Sequence, residues 1–292
     1  MPARDACANG SEIHEVRTSD RPVRREVAIL FDGSLEGFLC IIHAYYYENV
    51  SPLIIQEEDC HQPTLDTEEY HVLTDASLAA RVQAGIAKKI SSEAWHYIAS
   101  AYLAYGEDKY MAMFRYTILG FKTGSAINDH LQEDCVLRVQ KLAKQVGRET
   151  HLLKGFCRFE ETAGQIYYCP IEPTNYVLPM LAEHFSDRMM NQAWIIHDKR
   201  RGLAAVYNGE TYVITDVPKT AQVQHTANEA QIQDLWVTFF NSLAIKERIN
   251  PKLQRNLLPL YFRKSMTEFA IKVDKNKNRG ALPHPPQTFE KV

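Results

Sequence analysis

A change in the spacing of apolar residues predicts the first strand and helix of the chain. Residues 27–31 form a short apolar run, which is typical of a buried strand. The run ends at Asp32-Gly33-Ser34, where a turn is predicted and Ser34 can cap a following helix. In that helix the apolar residues Phe38, Ile41, Ile42 and Tyr45 recur at helical spacing. The folded part of the chain is therefore predicted to begin with a strand, a turn and a helix.

Helical spacing dominates the segment up to residue 153. Pro52 and Pro63 indicate a loop over 48–68, and residues 70–73 are predicted to form a second short strand. Four helices are predicted after it, over 77–90, 91–105, 109–121 and 131–153.

After Gly155 the apolar residues alternate with polar ones, which is the period of a strand. Strands over 156–160 and 165–172 are predicted to form a hairpin, and a short helix over 175–185 follows. Three more strands are predicted over 194–197, 203–207 and 212–215. Helical spacing returns over 232–243, after Pro251 and over 261–271. We therefore predict an α+β fold with an N-terminal strand-helix and helical part, an antiparallel sheet of about five short strands, and C-terminal helices.

These patterns predict one folded domain between two flexible ends. Residues 1–25 lack periodicity and are predicted to be a flexible leader, and residues 273–292 are polar and rich in proline, which is typical of a disordered tail. The domain covers 26–272, with a helical part over 26–153, a sheet part over 154–217 and closing helices over 228–272.

The composition of the 292 residues is that of a globular protein, with 45% hydrophobic and 24% charged residues. No apolar run approaches the ~18 residues of a membrane span, and the N-terminus lacks the apolar core of a signal peptide. We therefore predict a cytoplasmic protein without a membrane partner. The six cysteines are scattered and form no CxxC pair, and neither GxGxxG nor GK[ST] occurs. No metal site, disulfide framework or cofactor is predicted from these features.

The net charge of −3 is unevenly distributed. Residues 246–292 contain eleven Lys or Arg and four Asp or Glu, a net charge of +7, so the other 245 residues carry −10. Such a split is a sign of a surface for nucleic acid or for an acidic partner. A solvated helix face followed by a basic tail would produce the same split.

The loop from Asp32 to Gly37 is the candidate for catalysis. It follows a strand and opens a helix, where phosphates often bind, but Asp32 and Glu36 would repel a phosphate unless a metal lay between them. These carboxylates, with His151 as a further candidate, could act as metal ligands or general bases. Alternatively, the glycines only shape a turn, and the two acids stabilise the helix N-terminus.

Two groups of cations are candidates for binding nucleic acid. Lys154 and Arg158 are flanked by aromatic residues, a combination that suits phosphate contact with base stacking. Dipole compensation at a helix end is the alternative for this pair. The second group suits phosphate neutralisation or an acidic protein partner, and consists of Arg248, Lys252, Arg255, Arg263 and Lys264.

Several blocks of sequence resemble an uncharacterised bacterial family called probable DNA metabolism proteins. The resemblance spans about 27–269. Its blocks are Phe31-Asp32-Gly33-Ser34-Leu35-Glu36-Gly37-Phe38, His151-Leu152-Leu153-Lys154-Gly155-Phe156 with Arg158-Phe159, Ile171-Glu172-Pro173 with Val177-Leu178-Pro179, Ala244-Ile245 through Arg248 with Asn250-Pro251, and Met266-Thr267-Glu268-Phe269. Where relatives tend to have a Lys-Arg-Tyr-Trp run, this chain has Leu260-Tyr261-Phe262-Arg263.

That family is associated with a DNA-modification or DNA-repair radical SAM protein, and some members carry a uracil-DNA-glycosylase-like domain. The resemblance therefore implies an accessory DNA-binding protein that acts in repair or modification with a radical SAM partner. Since no glycosylase-like domain is recognised here, we expect base chemistry to come from another polypeptide. Two alternatives remain open from the residues: an enzyme that acts on nucleic acid through Asp32 and Glu36, and a protein–protein adaptor without nucleic-acid contact.

Overall fold

A computed structural model describes residues 24–61, 67–106, 108–220, 226, 228–243 and 258–269. By its internal contacts the chain divides into two compact units, residues 1–82 and 83–292, and the division falls within helix α2 (Ala76–Lys89). The single domain over 26–272 stays a prediction, because a compact unit is not by itself an independently folding domain. The predicted tail lies outside the described residues, as does the predicted leader apart from residues 24 and 25.

The first unit is built on a parallel sheet of three strands in the order β2-β1-β3. Strand β1 is almost wholly buried from Val27 to Phe31, as the apolar run predicts. Helix α1 begins after Ser34, whose hydroxyl accepts a hydrogen bond from the Gly37 backbone nitrogen at 2.9 Å. The elements are β1 (Arg25–Phe31), α1 (Leu35–Tyr47), β2 (Val50–Glu57), a 3₁₀ turn (Glu58–Cys60) and β3 (Glu69–His71).

Strand β2 corrects the loop predicted over 48–68. Pro52 lies inside this strand, opposite Val27, and the register between β1 and β2 shifts immediately after that pair. Proline lacks the N–H that a central strand needs, and it is tolerated at sheet edges and irregularities. Strand β2 is the edge of the described three-stranded sheet, so Pro52 does not prevent a strand there.

The second unit begins with the predicted helical segment, in which α3, α4 and α5 pack against one another. Ser91 caps α3 by accepting a hydrogen bond from the Ala94 backbone nitrogen at 3.0 Å. Helix α5 continues through Phe156, three residues beyond its predicted end, so the strand predicted over 156–160 is wrong except at its last residue. The elements are α3 (Ser92–Tyr102), α4 (Lys109–Thr123), a 3₁₀ segment (Gly124–Asp129) and α5 (Asp134–Phe156).

A five-stranded sheet follows, in the order β4-β5-β6-β7-β8. Three of its four pairings are antiparallel, but β5 and β6 are parallel because helix α6 connects them in a crossover. The buried side of α6 carries Leu178, Leu181, Ala182 and Phe185. The elements are β4 (Glu160–Glu161), β5 (Tyr167–Ile171), α6 (Leu178–Arg188), β6 (Trp194–Asp198), β7 (Leu203–Tyr207) and β8 (Tyr212–Asp216).

The C-terminal part contains helix α7 (Glu229–Leu243) and a 3₁₀ turn at Phe262–Ser265. The helix predicted after Pro251 lies outside the described residues. The α+β class, the N-terminal strand and helix, the five-stranded sheet and the C-terminal helices are confirmed. Within the described ranges, none of the helices has the length and apolar character needed to cross a membrane.

Candidate functional site

Asp32 directly follows β1, at the carboxyl end of the parallel sheet. Its Oδ1 accepts hydrogen bonds from the Ser34 backbone nitrogen at 2.9 Å and the Ser34 hydroxyl at 2.6 Å, and its Oδ2 accepts one from the Thr74 hydroxyl at 2.8 Å. Partial burial alone would raise the pKa of Asp32, but the hydrogen bonds from Ser34 and Thr74 lower it below its ordinary value. A carboxylate held in this way organises the turn and is a weak proton acceptor at neutral pH.

The two glycines of this loop are required by its backbone. Gly33 has φ +76°, a conformation that glycine adopts without strain. A Cβ added at Gly37 would collide with Asp32 Oδ1 and would lie 2.8 Å from the Thr74 hydroxyl oxygen. Gly33 therefore serves the backbone shape of the turn, and Gly37 allows Asp32 and Thr74 to approach the start of α1 closely.

The other catalytic candidates are exposed side chains. Glu36 lies in the first turn of α1, where its charge favours the helix N-terminus, and His151 lies on α5 in the second unit. In the part of the chain that the structure describes, no three His, Cys, Asp or Glu residues are grouped so as to hold a metal ion. Catalysis by Asp32, Glu36 or His151 stays a prediction.

Arg158 is held in an ion pair with a buried acid. Its Nη2 and Nε donate to the Glu268 carboxylate at 2.7 and 3.2 Å, and its Nη1 donates to the backbone oxygens of Gly155 and Cys157. The Glu268 side chain is only 1% exposed and also accepts a hydrogen bond from Trp236 Nε1 at 3.1 Å. Burial would raise the pKa of Glu268, but Arg158 and Trp236 lower it. This arrangement favours a structural role for Arg158.

The remaining predicted cations have different surroundings. Lys154 is exposed at the end of α5. Arg263 donates to the Leu258 backbone oxygen at 3.3 Å, whereas Lys264 is exposed, with its Nζ 3.8 Å from Glu172. Nucleic-acid contact by these residues and by Arg158 stays a prediction. Arg248, Lys252 and Arg255 lie outside the described residues.

An open pocket of about 600 Å³ lies in the second unit, beside the turn between β6 and β7. That volume is in the usual range of ligand sites. Three cationic side chains and one carboxylate contribute to its wall, together with a hydroxyl and an aromatic ring. In the part of the chain that the structure describes, the lining residues are Glu172, Thr174, Lys199, Arg200, Lys219 and Tyr261.

The β6–β7 turn that carries Lys199 and Arg200 is anchored by a fully buried acid. Asp198 Oδ1 accepts hydrogen bonds from the backbone nitrogens of Arg200 and Arg201 at 3.0 and 3.2 Å. Asp198 Oδ2 accepts a further bond from Arg201 Nη1 at 2.9 Å. The turn is therefore fixed by Asp198 and Arg201, while the Lys199 and Arg200 side chains line the pocket.

The segment that contributes Glu172 and Thr174 to the pocket is held by a second buried acid. Glu149 on α5 is 5% exposed, and it accepts hydrogen bonds from the backbone nitrogens of Thr174 and Asn175 at 2.7 and 2.8 Å and from the Asn175 side chain. Arg201 also donates to the backbone oxygens of Pro173 and Thr174 at 3.2 and 2.7 Å. Arg201 thus connects the β6–β7 turn to the segment with Pro173 and Thr174.

The third cation and the aromatic ring come from later in the chain. A Cβ added at Gly202, which has φ +74°, would lie 3.3 Å from Lys219 Cγ, so the stem of Lys219 packs against this glycine. Tyr261 is 43% exposed and contacts Phe262, with 4.1 Å between the ring centroids. Burial, with a contribution from Glu149, raises the pKa of the Tyr261 hydroxyl above its ordinary value. That hydroxyl therefore remains a protonated donor at neutral pH.

Sequence patterns did not reveal this pocket. From the sequence, residues 199–202 lie between the strands predicted over 194–197 and 203–207, and no pattern points to Lys219. The available signal was three consecutive cations, Lys199-Arg200-Arg201, directly after an acid in a hairpin turn. Such a turn cannot lie in the core, so at least part of that charge must face solvent or a ligand.

The comparisons with known proteins identify a family but not an activity. A family model described as a domain of unknown function, DUF4130, matches residues 107–268. The match contains the six described residues that line the pocket. No curated protein and no solved structure matches the chain significantly. Because the matched segment is more than half of the 292 residues, the chain belongs to the DUF4130 family.

Proposed function

We propose that the chain is an accessory nucleic-acid-binding protein of DNA repair or modification, and that the pocket is its contact with the nucleic acid. The observation that carries this proposal is the convergence of Lys199, Arg200 and Lys219 on one pocket that also presents Tyr261. Cations that meet phosphates, next to an aromatic ring that can stack on a base, are the usual elements of a single-strand-binding surface.

The charge balance of the pocket supports an anionic ligand. The described lining side chains have three positive charges and one negative charge, and Lys264 lies 3.8 Å from the carboxylate of Glu172. The repulsion between cations that exceed their counter-charges raises the energy of the free protein, and a bound phosphate relieves it. Tyr105 further holds Arg200, whose Cζ lies 5.1 Å from the ring centroid.

Binding to short labelled single-stranded and double-stranded DNA, measured by fluorescence anisotropy, tests the proposal. The triple variant Lys199→Ala, Arg200→Ala, Lys219→Ala should bind at least about tenfold more weakly at ~50 mM salt. The slope of log affinity against log salt should become shallower by about 2 to 3 in the variant, since each lost phosphate contact contributes about 0.7–0.9.

A charge-matched control is the triple variant Lys88→Ala, Lys141→Ala, Lys144→Ala, which removes three exposed helix cations that do not line the pocket. It should keep most of the affinity. Equal binding by wild type and pocket variant would refute the role of the pocket. A further variant, Arg248→Ala, Lys252→Ala, Arg255→Ala, tests the basic segment predicted from the sequence. Absence of DNA binding by the wild type would refute the proposed function.

The radical SAM partner is proposed from the resemblance of the sequence blocks to the probable DNA metabolism proteins. If it is correct, the tagged chain should co-purify with that protein from the native host, and base modification should require both. Turnover of DNA by the isolated chain alone would contradict an accessory role and favour the enzyme alternative.

A further inference from the structure

We infer that the pocket selects a terminal phosphate monoester of a nucleotide over an internal phosphodiester, because three cations and one carboxylate line it. The inference rests on the proposed function and names the part of the nucleic acid that the pocket recognises. Two sources share this chemistry, the phosphorylated end of a strand and a free mononucleotide.

The net charge of the lining residues favours the monoester. Among the described residues that line the pocket, Lys199, Arg200 and Lys219 against Glu172 leave a net charge of +2. An internal phosphodiester carries a single negative charge, whereas a terminal monoester carries about −1.5 to −2 at pH 7. A bound monoester therefore balances the net charge of the described lining, and a phosphodiester leaves part of it unbalanced. Lys264 is not among the described residues that line the pocket, but its Nζ lies 3.8 Å from Glu172 Oε2. Lys264 therefore compensates part of the negative charge of Glu172.

The walls of the pocket are ordered before any ligand binds. The turn with Lys199 and Arg200 is held by the buried Asp198, and the segment with Thr174 is held by the buried Glu149. Binding then costs mainly the ordering of the cationic side chains.

Two neutral groups complete the recognition of a nucleotide. Thr174 and Tyr261 line the pocket with one hydroxyl each, and either hydroxyl can donate a hydrogen bond to a phosphate oxygen. The ring of Tyr261, which is 43% exposed, can stack on the base that bears the phosphate. The pocket volume of about 600 Å³ is sufficient for a ligand of nucleotide size.

The test compares one single-stranded oligonucleotide in three forms: unphosphorylated, 5′-phosphorylated and 3′-phosphorylated, each labelled at the other end. One phosphorylated form should bind at least about tenfold more tightly than the unphosphorylated strand. The preference should decline below pH about 6, where the monoester loses its second charge. It should be lost in Lys199→Ala, Arg200→Ala and kept in the control Lys141→Ala, Lys144→Ala.

The variant Glu172→Gln separates recognition from simple unfolding, since it removes the opposing charge and should strengthen binding of the phosphorylated form by at least about threefold. Competition with a free mononucleotide and with inorganic phosphate distinguishes the two sources. Equal displacement by mononucleotide and phosphorylated strand identifies a mononucleotide site, and displacement by the strand alone identifies a strand-end site. If all three strands bind equally and the pocket variant still weakens them, this inference is overturned while DNA binding stands. If no strand binds, the proposed function itself fails.

Discussion

Replacing Glu268 by Gln is expected to destabilise the second unit without changing any charge that lines the pocket. The carboxylate accepts two hydrogen bonds from Arg158 and one from Trp236, and its side chain is 1% exposed. The variant keeps the volume of the side chain but leaves the Arg158 guanidinium without its counter-charge. The Arg158 side chain is 21% exposed, so solvent compensates only part of that loss.

The magnitude follows from the burial of the pair. Removing one partner of a buried ion pair costs about 3–5 kcal/mol of unfolding free energy, and the partial exposure of Arg158 places Glu268→Gln near the lower value, about 3 kcal/mol. For a unit of this size, such a loss lowers the melting temperature by about 6–12 °C. The exposed acid Glu183 provides a matched control, and Glu183→Gln should change stability by less than about 0.5 kcal/mol.

Thermal and urea unfolding monitored by circular dichroism measure these differences. The pKa of Glu268 is lowered in the folded state, since hydrogen bonding to Arg158 outweighs the effect of burial, which raises it. The stabilisation by the ionised Glu268 is therefore complete at pH values above its ordinary pKa of 4.5. It is lost as the pH falls through the lower pKa of Glu268 in the folded state. The wild type should accordingly approach the stability of Glu268→Gln in acid.

A double-mutant cycle with Arg158→Met completes the test. The double variant should lose less stability than the two single variants together, because each single variant leaves one unpaired buried charge. Arg158→Met should also leave the salt dependence of DNA binding unchanged. The structural role of Arg158 would be refuted if the cycle were additive and the melting temperatures unchanged. It would also be refuted if Arg158→Met made the slope of log affinity against log salt shallower, which would instead indicate that Arg158 contacts a phosphate.

Two further predictions concern the first unit and the core of the sheet. Gly37→Ala should lower the free energy of unfolding in urea by about 1–3 kcal/mol, because the added Cβ collides with Asp32 Oδ1. The control Gly147→Ala, whose added Cβ meets no atom within 4 Å, should be neutral or stabilising. Equal effects of the two variants would show that the loop adjusts to the added Cβ. His197 is fully buried, with Nδ1 2.7 Å from the Tyr168 hydroxyl, and burial with the charge of Lys199 lowers its pKa. The free energy of unfolding should therefore decrease as the pH falls below about 6.5, the pKa of histidine in the unfolded chain. His197→Gln should remove that pH dependence. A variant that keeps the wild-type pH profile would show that His197 does not cause it.

Most helices and strands could be predicted from local patterns, because their signals lie within a few residues. Ser34 caps α1 as the sequence predicts, and the strands predicted over 203–207 and 212–215 are present as β7 and β8. The errors arise where long-range packing decides. Strand β2 forms despite Pro52 because it pairs with β1 from an edge, and α5 continues to Phe156 although Gly155 suggested an earlier end.

The α+β class, the order of most elements and the special backbone of the Asp32 loop were determined by the sequence itself, since apolar period and turn chemistry are local properties. Only the tertiary structure decided which cationic side chains can contact a ligand. Arg158 is paired with Glu268, which lies 110 residues further along the chain, whereas Lys199, Arg200 and Lys219 come together with Tyr261 at one pocket. The sequence does not show whether a cationic side chain pairs with a buried carboxylate or lines an open pocket. Its partner is decided by contacts between segments that are distant along the chain.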